Sequence, residues 1–144
     1  MQNKKLILKF KLLSKNAKIP IYNHVDDAGF GIFSIEEKIL KPNEYYPVST
    51  GISSEIPKNH FVSIRDRSSM GVKGLHLLGG VIDAGYRGEW KIILINLSNE
   101  NYKIEIGDKI AQGILQESNQ VEIMESNELS KTKRGVDGFG STGK

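Results

Sequence analysis

Apolar and polar positions alternate with a period of two near the amino terminus, where Leu6, Leu8, Phe10 and Leu12 interleave with Ile7, Lys9 and Lys11. That spacing predicts a β-strand with one buried face, because successive side chains on a strand point to opposite sides. Further short runs of strand character occupy 46–52, 61–65, 75–82, 90–97, 102–106, 110–115 and 121–124. Turn material separates them, notably Lys41-Pro42-Asn43, Pro57-Lys58-Asn59 and Ser98-Asn99-Glu100-Asn101. No long segment carries the 3.6-residue period of an amphipathic helix. Many short strands and little helix predict an all-β sandwich or barrel.

Two segments depart from simple alternation. In 90–97 both faces are apolar, with Trp90, Ile92 and Leu94 on one and Ile93, Ile95 and Leu97 on the other. Either the outer face packs on another subunit, or this is the central strand of a monomer core. After Met124 the pattern dissolves, ending in a basic, glycine-rich tail from Lys131 to Lys144. Taken alone, Gly138, Gly140, Ser141, Thr142 and Gly143 read as a flexible terminus. Arg134, Phe139 and the two hydroxyls nevertheless make a mixture able to hold a phosphate and cover a planar ring.

Composition narrows the classes. A chain of 144 residues fits one domain. With no cysteine, neither a disulfide framework nor a thiolate metal site is available, which fits a reducing compartment. The net charge of +3 is mild and the lysines are scattered, so no nucleic-acid partner is expected, though a small phosphate ligand would suit. Lys9 and Lys11 interrupt the first apolar run, unlike a signal peptide or a spanning helix; a cytoplasmic protein without a membrane partner is expected. The three histidines lack metal-ligand spacing, whereas magnesium carried on substrate phosphates and waters remains compatible.

Candidate chemistry lies in three stretches. Gly79 to Gly88 sets Asp83 and Tyr86 among glycines, where backbone can approach a ligand closely; Asp83 is read either as a turn former or as a general base. Arg65-Asp66-Arg67-Ser68-Ser69 offers guanidinium and hydroxyl donors for phosphate oxygens, or a charged turn with local ion pairs. Gly107-Asp108-Lys109-Ile110-Ala111-Gln112 has the form of a hairpin turn entering a strand, with Gln112 a polar residue on its open face.

In order, these stretches resemble the five motifs of the trimeric dUTPase family. Ala28-Gly29-Phe30-Gly31-Ile32 is similar to the first, and Arg67-Ser68-Ser69 to the second. Gly80-Val81-Ile82-Asp83 through Tyr86-Arg87-Gly88 is similar to the third, and Gly107 to Gln112 to the fourth. Arg134-Gly135 with Gly138-Phe139-Gly140-Ser141-Thr142-Gly143 is similar to the fifth. The resemblance implies a distorted jelly-roll barrel over 1–129, assembled as a homotrimer, and a flexible C-terminal lid over 130–144. It implies hydrolysis of dUTP to dUMP and pyrophosphate, limiting uracil incorporation into DNA and supplying dUMP for dTMP synthesis.

By the same resemblance, Asp83 activates the water that attacks the α-phosphorus, and the Tyr86 ring excludes a 2′-hydroxyl. Uracil would be read by backbone around Leu77 to Gly80. Arg67, Ser68, Ser69 and Gln112 would hold the phosphate chain; Phe139 would stack on uracil while Arg134, Gly140, Ser141 and Thr142 close the lid. Mg2+ would sit mainly on substrate phosphates and waters, with no direct protein ligand. The sister activity, dCTP deamination, needs an acid where this chain has Trp90-Lys91-Ile92-Ile93. A nucleotide-binding or regulatory protein that has lost turnover is the non-enzymatic alternative.

One position departs from the family pattern. Gly31 stands where the first motif ordinarily has Asp, whose carboxylate would hold a water in the magnesium shell. Asp26 and Asp27 are the nearest acids, but an extended chain from position 27 to 31 would span roughly 13 Å. On that geometry neither compensates, and a weakened enzyme is expected.

Overall fold

The computed structural model describes residues 5–140. In chain order its elements are β1 (Lys9–Leu12), β2 (Phe30–Phe33), β3 (Lys38–Leu40), β4 (Tyr45–Ser49), β5 (Ile52–Glu55), β6 (His60–Arg65), the single helical turn α1 (Ser68–Gly71), β7 (Leu75–Leu78), β8 (Val81–Ile82), β9 (Lys91–Asn96), β10 (Tyr102–Ile104) and β11 (Lys109–Glu117). The pairings are antiparallel: a four-stranded sheet β2-β11-β6-β8, a three-stranded sheet β4-β9-β7, and the pairs β1-β5 and β10-β3. The fold is nearly all-β, as the alternation predicts. Its strands form four separate sheets packed on a shared core rather than one continuous closed barrel. Among the described residues no helix is long and apolar enough to cross a membrane.

Both larger sheets feed one apolar cluster. Ile32, Val62 and Ile64 enter it from the first, and Val48, Ile92 and Leu94 from the second. Trp90 is fully buried at its centre, its indole N–H donating to Ser54 Oγ at 3.1 Å, so the large ring is buried without stranding its polar atom. Phe10 meets the Trp90 ring edge-on at 5.2 Å between centroids, which docks β1 onto the core. Asn96 is also fully buried and joins three segments: its amide donates to Leu40 O at 2.9 Å and Glu100 O at 2.7 Å, and its oxygen accepts from Ser98 N–H at 3.0 Å.

Several predicted runs are divided or shifted. The run 46–52 breaks between β4 and β5, where Gly51 takes φ +65°; 75–82 breaks at Gly79-Gly80 into β7 and β8. The segments β2 and β3 were too short and irregular to stand out by alternation. The 121–124 run forms no strand: the last strand ends at Glu117 and every residue from Asn119 to Asp137 is exposed, including Val121 and Ile123. With no strand edge opposite, its backbone lacks the ladder that the sequence pattern calls for.

Strand β9 is the middle strand of its sheet, yet only one of its faces is core. Ile92, Leu94 and Asn96 are buried, whereas Ile93 and Ile95 are half-buried and Leu97 is exposed. By register, Pro47 and Leu78 flank Ile93, and Tyr45 and His76 flank Ile95. Within one protomer this mostly apolar outer face is left open.

Removing the Asn96 amide leaves two inward carbonyls without their donor and Ser98 without its acceptor. Asn96→Ala is expected to destabilise the fold by about 2–4 kcal/mol, read as a lower urea midpoint at fixed protein concentration; an unchanged midpoint would show that water replaces these bonds.

Candidate active site

The ladder places Gln112 of β11 between Gly31 of β2 and Arg65 of β6. This is how segments far apart in sequence meet. The Gln112 carboxamide donates to Asp66 O at 2.8 Å, and its side chain lies so close over Gly29 that a Cβ there would stand 2.6 Å from Oε1. Glycine at position 29 thus leaves room for the Gln112 carboxamide in this pose. Arg67, at the start of α1, donates to Lys109 O at 2.8 Å, tying the helical turn to the beginning of β11. Asn23, Asp27, Gly29, Gly31, Arg67, Lys109 and Gln112 thus line one polar cavity of about 220 Å³. Ser68 and Ser69 are exposed beside it, in the first turn of α1.

Asp83 and Tyr86 lie elsewhere, in an open cleft of about 410 Å³ with Val81, Ile82, Glu89 and Lys91. The turn there is closed by backbone, Tyr86 N–H donating to Asp83 O at 3.1 Å. The Asp83 carboxylate is thus not what closes the turn, and it faces solvent. Tyr86 Oη donates to Glu89 O at 2.9 Å, and the ring lies against Gly88, where a Cβ would collide with it. That bond and contact fix the ring plane. Gly80 turns the β7–β8 connection with φ +112°, and its carbonyl accepts from Ile64 N–H at 2.7 Å. A side chain there would meet both Ile64 O and Leu77, so backbone groups are what this hairpin presents.

The two clefts share no lining residue. Asp83 follows Ile82, which pairs with Val62, while Arg67 follows the opposite end of β6. Five residues of extended chain separate Val62 from Arg67, roughly 16 Å at about 3.3 Å each. Arg134, Phe139 and Gly140 are exposed on the arm, the Arg134 Nε bonding only locally to Asp137 O at 2.9 Å. Ser141 and Thr142 lie outside the described residues.

Two features escape sequence reading. Asp66 binds Leu77 N–H at 2.8 Å through one oxygen and His76 Nδ1 at 2.6 Å through the other, while its carbonyl holds Gln112. It joins two of the candidate stretches to β7, and only the assembled ladder reveals this. The chain before Gly31 is not extended, contrary to the expectation above. Residues 24–27 turn, with Asp27 N–H donating to His24 O at 3.3 Å, and Ile21 bridges Gly31, so Asp27 lines the same cavity as Gly31. Next to Arg67, burial first and Asp108 second push the Tyr102 hydroxyl above its ordinary range, with Arg67 opposing, which keeps that phenol neutral.

Residues 15–143 match the dUTPase family model. The chain belongs to the dUTPase family. A deoxyuridine 5′-triphosphate nucleotidohydrolase of Clostridium tetani is 49% identical over 140 residues, covering 95% of this chain and 97% of that protein. The corresponding protein of Nautilia profundicola is 46% identical, covering 95% and 99%. Among solved structures, a dUTPase of Staphylococcus bacteriophage 80alpha with dUpNHpp has a TM-score of 0.89 at 32% identity, covering 95% and 98%. A mutant dUTPase of phage phi11 of S. aureus, informative on the coordination of a structural Mg(II) ion, has a TM-score of 0.81 at 29% identity, covering 87% and 99%. This dUTPase-family chain is accordingly a hydrolase of dUTP, a dUTP diphosphatase.

A methyl group at Gly29 of this dUTPase-family chain would press on the Gln112 carboxamide that bonds Asp66 O. Gly29→Ala is expected to raise the KM for dUTP about 10-fold, the scale of one lost hydrogen bond to a charged group; steady-state kinetics with an unchanged KM would free Gln112 from the substrate.

Proposed function

We propose that the chain cleaves dUTP to dUMP and pyrophosphate in a site completed between protomers of a homotrimer. The observation that carries this reading is the separation of Asp83 from Arg67 and Gln112 at opposite ends of β6. A base that activates water at the α-phosphorus and donors that hold the same phosphate chain must work within hydrogen-bond reach of one molecule. One protomer keeps them apart; a second brings its Asp83 cleft to the first one's Arg67 cavity. The open outer face of β9, with Tyr45, Pro47, Leu78, Ile93 and Ile95, supports association, as do the exposed Val121, Ile123 and Met124 between β11 and the arm.

In that site the Asp83 carboxylate accepts a proton as the water oxygen bonds to the α-phosphorus. The bond from the α-phosphorus to the bridging oxygen breaks, and pyrophosphate leaves. Tyr86, held by Glu89 O and Gly88, lies under the deoxyribose and leaves no room for a 2′-hydroxyl. The backbone of the Leu77 to Gly80 hairpin reads uracil, and Arg67, Ser68, Ser69 and Gln112 bind phosphate oxygens. Asn23, Asp27 and Gln112 offer the cavity side-chain oxygens, a hard donor set that would suit the hydrated shell of a magnesium ion. When bound, that ion neutralises charge on the departing pyrophosphate.

The arm supplies the cover. Residues 130–144 act as a lid, in which Phe139 stacks on the base and Arg134, Gly140, Ser141 and Thr142 close over the phosphates. Phe139 is fully exposed and so is available to such a ligand. Deamination of dCTP is the less suitable reading: where an acid is needed the chain has Trp90, buried with its indole bonded to Ser54.

Asp83→Asn is expected to fold, bind dUTP and turn over at least about 100-fold more slowly, the scale of losing a general base; pyrophosphate release at a near-normal rate would remove Asp83 from the mechanism. Truncation after Ser130 is expected to leave the assembly intact by sedimentation while activity collapses. Dissociation into monomers on truncation would make the arm a structural element instead of a lid.

A further inference from the structure

Lys109 enters the polar cavity from a position that the absence of a side chain at residue 31 opens. Its stem lies across Gly31, so that a Cβ there would stand 3.1 Å from Cδ and 3.2 Å from Cε. Its ammonium reaches the Asn23 side-chain oxygen, a neutral acceptor, and lies 5.8 Å from the centre of the Phe33 ring. Among the described residues no ion pair involves Lys109. Asp27, the carboxylate lining the cavity, is turned to His24, accepting its backbone N–H at 3.0 Å with the ring Nδ1 at 3.3 Å. The cavity therefore holds two cations, Arg67 and Lys109. Arg67 is anchored to backbone through one nitrogen, and the hydrogen bond of the Lys109 ammonium goes to a neutral amide oxygen that a phosphate can replace.

We propose that Lys109 is a direct ligand of the substrate's β- and γ-phosphates, and that Gly31 makes it so by leaving its ammonium without a carboxylate partner. This rests on the dUTP reading of the same cavity. An ammonium on a flexible stem is a compact point charge able to exchange a neutral acceptor for a phosphate oxygen. A carboxylate at position 31 would sit against the Lys109 stem and capture that charge before substrate does. In this chain one lysine thus adds charge to the triphosphate from the protein side, beside Gly31. Lys109 also explains why Gly31 does not leave a gap, since the lysine stem fills the space above it.

The test is calorimetric binding of dUpNHpp and of dUMP to the full-length protein in EDTA, with thermal melting as a check on folding. Lys109→Met keeps the stem over Gly31 and removes the charge; it is expected to weaken dUpNHpp at least about 10-fold, the scale of a lost charge-assisted contact, and to change dUMP less than about 2-fold. Lys109→Arg should stay within about 3-fold of wild type for both ligands, because the charge is kept. Gly31→Asp should weaken dUpNHpp in EDTA by a similar factor to Lys109→Met while leaving Lys109 in the sequence. Unchanged dUpNHpp affinity in Lys109→Met, or equal losses for dUpNHpp and dUMP, would overturn the assignment while the dUTP reading stands. Failure of the wild-type protein to bind dUpNHpp even with magnesium would instead bring down the dUTP reading, and this proposal with it.

Discussion

An extended strand is a spacer that cannot be folded back on itself, and β6 imposes that constraint on everything around it. One end pairs with β8 and leads to Asp83; the other faces Gln112 across β11 and leads to Arg67. Because β6 runs through the middle of the four-stranded sheet, its length is fixed by ladder bonds on both sides. The core behind it, from Val62 and Ile64 to Ile92 and Leu94, holds that spacing rigid. The placing of both clefts follows from the stiffness of one six-residue element, and on the proposed reading so does the call for a second protomer to unite them.

Within the cavity lined by Arg67 and Gln112, precision comes from backbone as much as from side chains. Asp66 O holds Gln112, and Lys109 O holds Arg67, so each donor is aimed by a carbonyl belonging to the other's segment. This reciprocal arrangement means that neither residue can be reoriented without disturbing its neighbour. The Asp66 carboxylate extends the same connection to β7 through Leu77 N–H, at the edge of the hairpin that presents Gly80. The hairpin that presents Gly80 and the cavity lined by Arg67 and Gln112 are thus mechanically joined through Asp66.

Much of this was legible before any coordinates. Alternation along the chain marks most strands, since a buried face leaves a period-two record, and the glycines of 79–88 mark a segment of close backbone approach, as at Gly80 and Gly88. What stayed hidden depends on tertiary return of the chain. β2 has two consecutive buried residues, Ile32 and Phe33, so alternation fails there. The turn at 24–27 carries no glycine or proline to announce it, so the sequence alone leaves Asp27 an extended chain's length from Gly31. The run 121–124 has the composition of a strand but meets no edge within its own protomer, and local pattern cannot say whose edge it would join.

The division of the two clefts also has a genetic consequence. On the proposed assembly, a lesion near Asp83 and a lesion near Arg67 damage different contributions to a site, and each protomer lends its parts to neighbours. Two alleles that are each silent alone can then co-assemble into particles in which some sites receive both intact halves, while a single defective allele degrades sites that contain normal chains. Complementation and dominance, usually properties argued at the level of pathways, would here be set by which end of one β-strand a codon specifies.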